Sequence, residues 1–334
     1  MIEIKKRNIN PLALVLGLSA VLFGLFLIFS FVYFFAKGGD GFRQNSDRDK
    51  MFGGGKGEYV AVIELKGVIM ESKKILKNLK DAEEDTDIKA VVLRLNSPGG
   101  AVAPSQEIYE AVKIFPKPMV VSMGSVAASG AYYIASGTKK IFANAGTLTG
   151  SIGVIMEFLN LKKLYDWAKV ERFSIKTGKF KDSGADYRDM QPEEREYFQS
   201  LVMNTLDQFK GAVATGRHMT ADEVTAVADG RVFTGLQAKE LKLVDEIGTL
   251  DDAVKYIAKE AKLKDKPKLV YPSKKSKGLL DMLNGGDTDE DGFEEESSLI
   301  DHIVAKFAER VTGIRSTGAE VRPAGLYWIW NGTR

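Results

Sequence analysis

The chain has 334 residues, 44% hydrophobic and 28% charged, with a formal net charge of +2; this is ordinary for a folded protein with ample core and offers no case for nucleic acid. Cysteine is absent, which removes disulfides, thiolate metal sites and cysteine nucleophiles. His218 and His302 are the only two histidines, so a three-histidine metal centre is excluded and a Ser-His-Asp triad would have to use one of them.

After a short tail, 1–11, the run from Leu12 to Ala36 carries no charge and is apolar on every face. A helix of about 20 residues crosses the hydrocarbon core, so 12–36 is expected to be a transmembrane anchor in contact with lipid. Phe34-Phe35-Ala36-Lys37 is a poor cleavage site, which favours a retained anchor over a signal peptide. Lys5, Lys6 and Arg7 before the span are balanced by Lys37, Arg43, Arg48 and Lys50 after it, so the positive-inside count does not orient it. Residues 37–57, rich in Gly, Asp, Arg and Lys, read as a flexible tether.

From Tyr59 strands and helices alternate: strand Tyr59–Ile69, helix 71–80, strand Ile88–Leu95, helix 104–114, strand Pro118–Met123, then small residues up to a helix that begins at Ser129. Mostly apolar strands separated by helices predict parallel crossover units and an α/β domain. Short strands are expected at Lys140–Ala143, Ile152–Met156 and Glu171–Lys176, with a helix over Leu161–Ala168 and a Gly-containing loop at Thr177–Gly184. Gln191-Pro-Glu-Glu opens a long helix to Thr215, and shorter helices follow near 220–228, 235–241 and 249–262. Residues 273–298, basic and then acidic, read as a linker. The 299–334 segment adds helical spacing at Ile300, Val304, Phe307 and Val311 and an aromatic tail, Leu326–Trp330, expected to lie in an apolar groove, on a membrane surface or on the domain.

Two Gly-containing turns, Gly99-Gly100 and Ser129-Gly130, follow successive buried strands. In a parallel sheet such turns share the carboxyl-terminal edge, where ligands bind, and their N–H groups can converge on one oxygen as an oxyanion hole. Neither carries a GxGxxG nucleotide fingerprint. A serine hydroxyl needs a base. His218, between two helices, reads as a surface or capping residue, and His302 lies beyond the acidic linker. Lysine is left, because burial can lower its pKa from about 10.4 into the working range of a base. Lys176, Lys179 and Lys181 cluster after one expected strand, and composition does not choose among them.

The run Ser122-Met-Gly-Ser-Val-Ala-Ala-Ser-Gly-Ala-Tyr-Tyr-Ile134, followed by Thr147-Leu-Thr-Gly-Ser-Ile-Gly-Val-Ile-Met156, resembles the signal peptide peptidase A (SppA) family. Asn96-Ser-Pro-Gly-Gly100 and Asp229-Gly-Arg-Val-Phe-Thr-Gly235 match it in order and spacing. The resemblance covers roughly 58–272 and is closest to the short, non-duplicated members. It implies a ClpP/crotonase-like core of repeated ββα units with a helical extension, preceded by one transmembrane helix, and a serine–lysine endopeptidase without metal or organic cofactor.

By position the resemblance makes Ser129 the nucleophile and Lys181 the general base, gives the oxyanion to Gly100 and Gly130, and has Ser151 orient the lysine. It also implies cleaved signal peptides as substrates, a homo-oligomeric ring or dome, and a bacterial inner-membrane location with the peptidase domain on the periplasmic side. The chain departs from the pattern in two glycines after Pro98 where related sequences often carry three, in His218 where glycine is usual, and in the unmatched segment beyond 275. A crotonase-like acyl-CoA enzyme and a non-catalytic membrane scaffold of the same fold are the alternatives.

Overall fold

The computed structural model describes residues 23–27, 57–263, 267–272 and 327–329. The chain divides into a unit of residues 1–50 and a unit of residues 51–334. In the first, residues 23–27 are helical, and the rest of the expected 12–36 span lies outside the described residues. Among the described residues no helix is long and apolar enough to cross a membrane. Most of the tether, the 273–298 linker, the 299–311 helix and His302 also lie outside them.

The second unit is a parallel-rich α/β fold. Its central strands are β1 (Tyr59–Lys66), β2 (Ile88–Ser97) and β4 (Met119–Ala128), linked by α1 (Lys73–Glu84), the short β3 (Gly99–Ala101) and α2 (Val102–Lys113). Alternate side chains of a strand face opposite sides of the sheet. On β1, Tyr59, Ala61, Ile63 and Leu65 enter the large core with Ile75 and Leu79 of α1 and Ile108 of α2. Val60 and Val62 face a second core with Ala253, Val254 and Ile257. Burial on both faces is why these strands read as continuous apolar runs.

The remaining elements are α3 (Gly130–Ser136), β5 (Ile141–Ala143), β6 (Leu148–Gly150), α4 (Lys162–Ala168), α5 (Pro192–Arg217), α6 (Ala221–Val227), β7 (Val232–Thr234), α7 (Gly235–Glu240), β8 (Glu246–Ile247), α8 (Leu250–Glu260), β9 (Lys268–Val270) and β10 (Tyr327–Ile329). The main sheet runs β7-β6-β4-β2-β1-β9, with β5 also beside β4 and β8 beside β5. Among its pairs β6–β7 is antiparallel and the others are parallel. β10 and β3 form a separate antiparallel pair.

Two expected strands differ. The one placed at Ile152–Met156 is instead Leu148–Gly150, because Gly150 (φ 77°) and Ser151 (φ 51°) turn the chain out of the ladder. Glu171–Lys176 is not a strand: Phe173 and Ile175 stand 81% and 96% exposed, and no ladder forms there. The long helix begins where Gln191-Pro-Glu-Glu puts it, closed by a capping box between Gln191 and Glu194. It ends at His218, which adopts a left-handed φ of 54° as the C-cap, a position that otherwise favours glycine.

Candidate active site

The site is built on a defect in the β2–β4 ladder. Leu95 pairs with Met123, but two residues further along β2 Ser97 pairs with Ala127, so β4 holds two extra residues in a bulge. The bulge leaves N–H groups without ladder partners, and Asn96 supplies one: its Oδ1 accepts from Ser125 N at 3.1 Å and Val126 N at 3.3 Å. Thr147 Oγ1 donates to Gly124 C=O at 2.7 Å and Arg94 donates to Met123 C=O at 2.7 Å, so both rims are held. A side chain on Gly124 would lie 2.9 Å from Asn96 Oδ1. Beyond this bulge β2 and β4 finish side by side, which brings the Gly99-Gly100 and Ser129-Gly130 turns to one edge.

Ser129 links β4 to α3 with φ 54° and ψ −119°, a conformation that L residues rarely adopt, and is 1% exposed. Such strain persists only where the surroundings over-determine it. Here Ser129 N donates to Gly150 C=O at 2.8 Å, and Ser129 C=O accepts from Tyr133 N at 2.8 Å. A sharp strand-to-helix turn with a strained serine at its tip is the architecture of a nucleophile elbow. Gly150 cannot carry a side chain, since Phe233 lies 2.7 Å from where a Cβ would sit. Ser151 follows it, 6% exposed, its N–H on Arg231 C=O at 2.9 Å. Ser129 and Ser151 thus leave the paired residues Ala128 and Gly150 side by side.

β3 brings the glycines. Gly99 (φ 100°) takes a turn that only glycine makes easily, and its N–H donates to Ser97 Oγ at 3.1 Å. Gly100 lies against Ile69: a Cβ there would come within 2.1 Å of Ile69 O. Ala101 N donates to Ile69 O at 2.7 Å, and Ile69 N donates to Gly99 O at 2.9 Å. β3 also packs on α3, whose first residue, Gly130, has an N–H without a carbonyl one helical turn behind it. The described fold therefore brings Ser129, Gly130, Ser151 and Gly100 to one sheet edge.

Among the described residues no hydrogen bond ties Lys181 to any of them. Lys181 is exposed in the Thr177–Gly184 turn, with its N–H on Gly178 C=O at 3.2 Å and, among the described residues, its amine in no hydrogen bond with Ser129. The three lysines differ in their partners. Lys176 is hydrogen-bonded to Asp182, and Lys179 pairs with Glu193 at 3.4 Å, whereas Lys181 makes no ion pair among the described residues. The turn is anchored by charges that composition did not single out. Arg188 grips Glu194 with both Nη atoms, at 2.9 and 2.5 Å, and reaches Asp182 Oδ2 through Nε at 3.2 Å. Hydrogen bonds from Arg188 and then Lys176 hold the Asp182 carboxyl well below the usual carboxylate range. Those from Arg188 likewise bring Glu194 down to about 2. The sequence signal for this clamp was the capping box alone, which predicts Glu194 over the Gln191 N–H but not its second partner.

Comparison with known proteins places the same residues in context. Residues 111–264 match the sequence profile of peptidase family S49, and residues 62–149 match that of Clp protease. A putative protease of Synechocystis is 41% identical over 233 residues, covering 69% of this chain and 84% of the relative. A putative signal peptide peptidase SppA of Enterococcus faecium is 40% identical over 199 residues, 59% of this chain and 58% of its own length. A putative protease of Methanocaldococcus jannaschii is 34% identical over 222 residues, 65% and 71% of the two chains.

Proposed function

The chain belongs to peptidase family S49 and is a serine peptidase; from that premise we propose that it is a membrane-anchored endopeptidase with a Ser129–Lys181 dyad. Its substrates are signal peptides left in the membrane after secretion and other short apolar peptides. The observation that carries the reading is Ser129: a buried serine at a strained strand-to-helix turn, beside the glycine strand β3.

In the proposed reaction the Lys181 amine takes the proton from Ser129 Oγ as that oxygen attacks the substrate carbonyl. The N–H groups of Gly100 and Gly130 receive the developing oxyanion, and Ser151 orients the amine. The protonated amine gives its proton to the leaving nitrogen, and water activated by the same lysine then releases the acyl-enzyme. No metal or organic cofactor enters these steps.

An amine serves as a base only where it is kept dry, and in one chain Lys181 is exposed. The segment that carries it also exposes Trp167 and Phe173, 79% and 81% accessible. A second copy laid over this apolar face would bury both the face and the amine. The assembly is therefore proposed as a homo-oligomer in which one copy lends Lys181 to its neighbour's Ser129. The uncharged Leu12–Ala36 run supports a single-pass anchor, with the peptidase unit on the periplasmic side of a bacterial inner membrane.

The test uses the full chain in detergent with a fluorogenic apolar peptide and a fluorophosphonate label. Ser129→Ala and Lys181→Ala are each expected to lose at least about a thousandfold in kcat, with the label found on Ser129. Full activity in either variant would sink the dyad. Co-assembled from equal amounts, the two inactive variants should recover about a quarter of wild-type activity, because random head-to-tail neighbours pair an intact serine with an intact lysine at that frequency. No recovery would place the dyad within one copy.

A further inference from the structure

Lys181 is held by its neighbours rather than by its own side chain. The two residues that flank it are both tied to the start of α5. Phe180 packs its ring on Tyr197, 5.4 Å between centroids, with the Lys179 amine over its face at 5.6 Å. Asp182 meets Arg188 at 3.0 Å, and Arg188 in turn grips Glu194. Glu194 and Tyr197 stand three residues apart and so share one face of the helix. From Tyr197 the rings continue to Phe198 at 5.4 Å, and from Phe198 to Phe158 at 4.5 Å. Phe158 then returns to the far end of the turn, where Gly184 has φ 78° and a Cβ would run into the Phe158 ring. Phe180 and Tyr197 are 44% and 43% exposed and belong to neither core, so core burial does not account for their stack.

We propose that Phe180 and Tyr197 are positioning residues for the base: with the Arg188–Asp182 pair, their stack seats the turn on α5 at two points, one on each side of Lys181. The proposal rests on the dyad reading and adds the residues that aim its lysine. A turn held at one point can rotate about it, so the charge pair alone would leave a hinge; the ring stack supplies the second point. A general base must come within hydrogen-bond reach of the hydroxyl it deprotonates, and a lysine on a loose loop would lose backbone as well as side-chain freedom at each approach. With its flanks fixed, only the side chain has to be ordered. Lys176 and Lys179 serve as struts of the same frame, the first on Asp182 and the second on Glu193 and Phe180. Both seats belong to a helix whose other half enters the large core through Phe209, Ala212 and Val213, so the turn is referred to the body of the domain.

The experiment uses the full chain in detergent with the same fluorogenic peptide. Tyr197→Ala is expected to lower kcat about a hundredfold, the effect of misplacing a reacting group by about 1 Å, with KM within about twofold. Tyr197→Phe keeps the ring and should keep kcat. Phe180→Ala should match Tyr197→Ala, and the double variant should be no slower than either single one. Hydrogen exchange over residues 178–184 should rise at least about tenfold in both alanine variants and not in Tyr197→Phe. Co-assembled with Ser129→Ala, which brings an intact lysine, Tyr197→Ala should recover about a quarter of wild-type activity; with Lys181→Ala it should recover none. Recovery with Lys181→Ala instead would put the lesion in the serine half and overturn the proposal. So would a Tyr197→Ala kcat within threefold of wild type, a Tyr197→Phe as slow as Tyr197→Ala, or unchanged exchange over 178–184. Full activity in Lys181→Ala would sink the dyad reading itself, and exchange would still decide whether the stack seats the turn.

Discussion

Ser129 and Gly100 carry opposite kinds of constraint. Ser129 is a side chain held in a backbone conformation that would suit glycine, and Gly100 is a glycine whose own backbone is ordinary but whose Cβ position is filled by Ile69 O. The first constraint points a hydroxyl out of the turn, and the second lets β3 lie close to the Ile69 carbonyl. Gly100→Ala should therefore push β3 away from Ile69 and misplace the N–H proposed as the oxyanion donor. Loss of one such donor costs about 100- to 1,000-fold in kcat. Steady-state hydrolysis together with a thermal melt checks this: a kcat within a few-fold of wild type would remove Gly100 N–H from the reaction. At this scale the two turns were legible, because serine after a run of small residues and paired glycines after a buried strand mark tight strand ends. Lys181 was singled out by resemblance rather than by its surroundings. Its distinction from Lys176 and Lys179 lies in the carboxylates those two engage, Asp182 within the same loop and Glu193 on the next helix.

Among the elements, β4 matters most, because its bulge sets where Ser129 emerges. Asn96 stands at the end of β2 and satisfies two N–H groups across the ladder. Asn96→Ala would leave those groups to water or unpaired, at a cost of about 1–3 kcal/mol, and would let β4 slip relative to β2. The expected outcome is a lower Tm and a kcat reduced more than KM is raised. An unchanged kcat would mean that α3 alone positions the serine. The order of strands and helices through β4 was readable from apolar runs, since both-face burial leaves a plain signature. β3, β7, β8 and β9 were not, being two or three residues long and defined by partners distant in sequence. The supposed strand at Glu171–Lys176 failed for the converse reason: its alternation of residue types found no sheet to join.

For the molecule as a whole, acid should act first on the Lys181 turn. Glu194 is depressed to about 2 by Arg188, so its contribution is complete above the ordinary glutamate value near 4.3 and is lost as pH falls through about 2. Asp182 shifts in the same direction through Arg188 and Lys176. Between about pH 4 and 2, hydrogen exchange over residues 176–194 should rise while β1, β2 and β4 stay protected. Arg188→Leu should give the raised exchange already at neutral pH. Simultaneous loss in sheet and turn would show that the clamp is not a separate unit. A different vulnerability lies at the β9 border of the sheet. β9 covers the flank of Tyr59–Ala61, and it returns to that flank only after α8 has been completed. Proteolytic nicking just before Lys268 would strip that cover and bare an apolar strand border, a template on which copies stack. Light scattering after such a nick is expected to rise, and an unchanged signal would show that the three residues of β9 are not needed to guard that border.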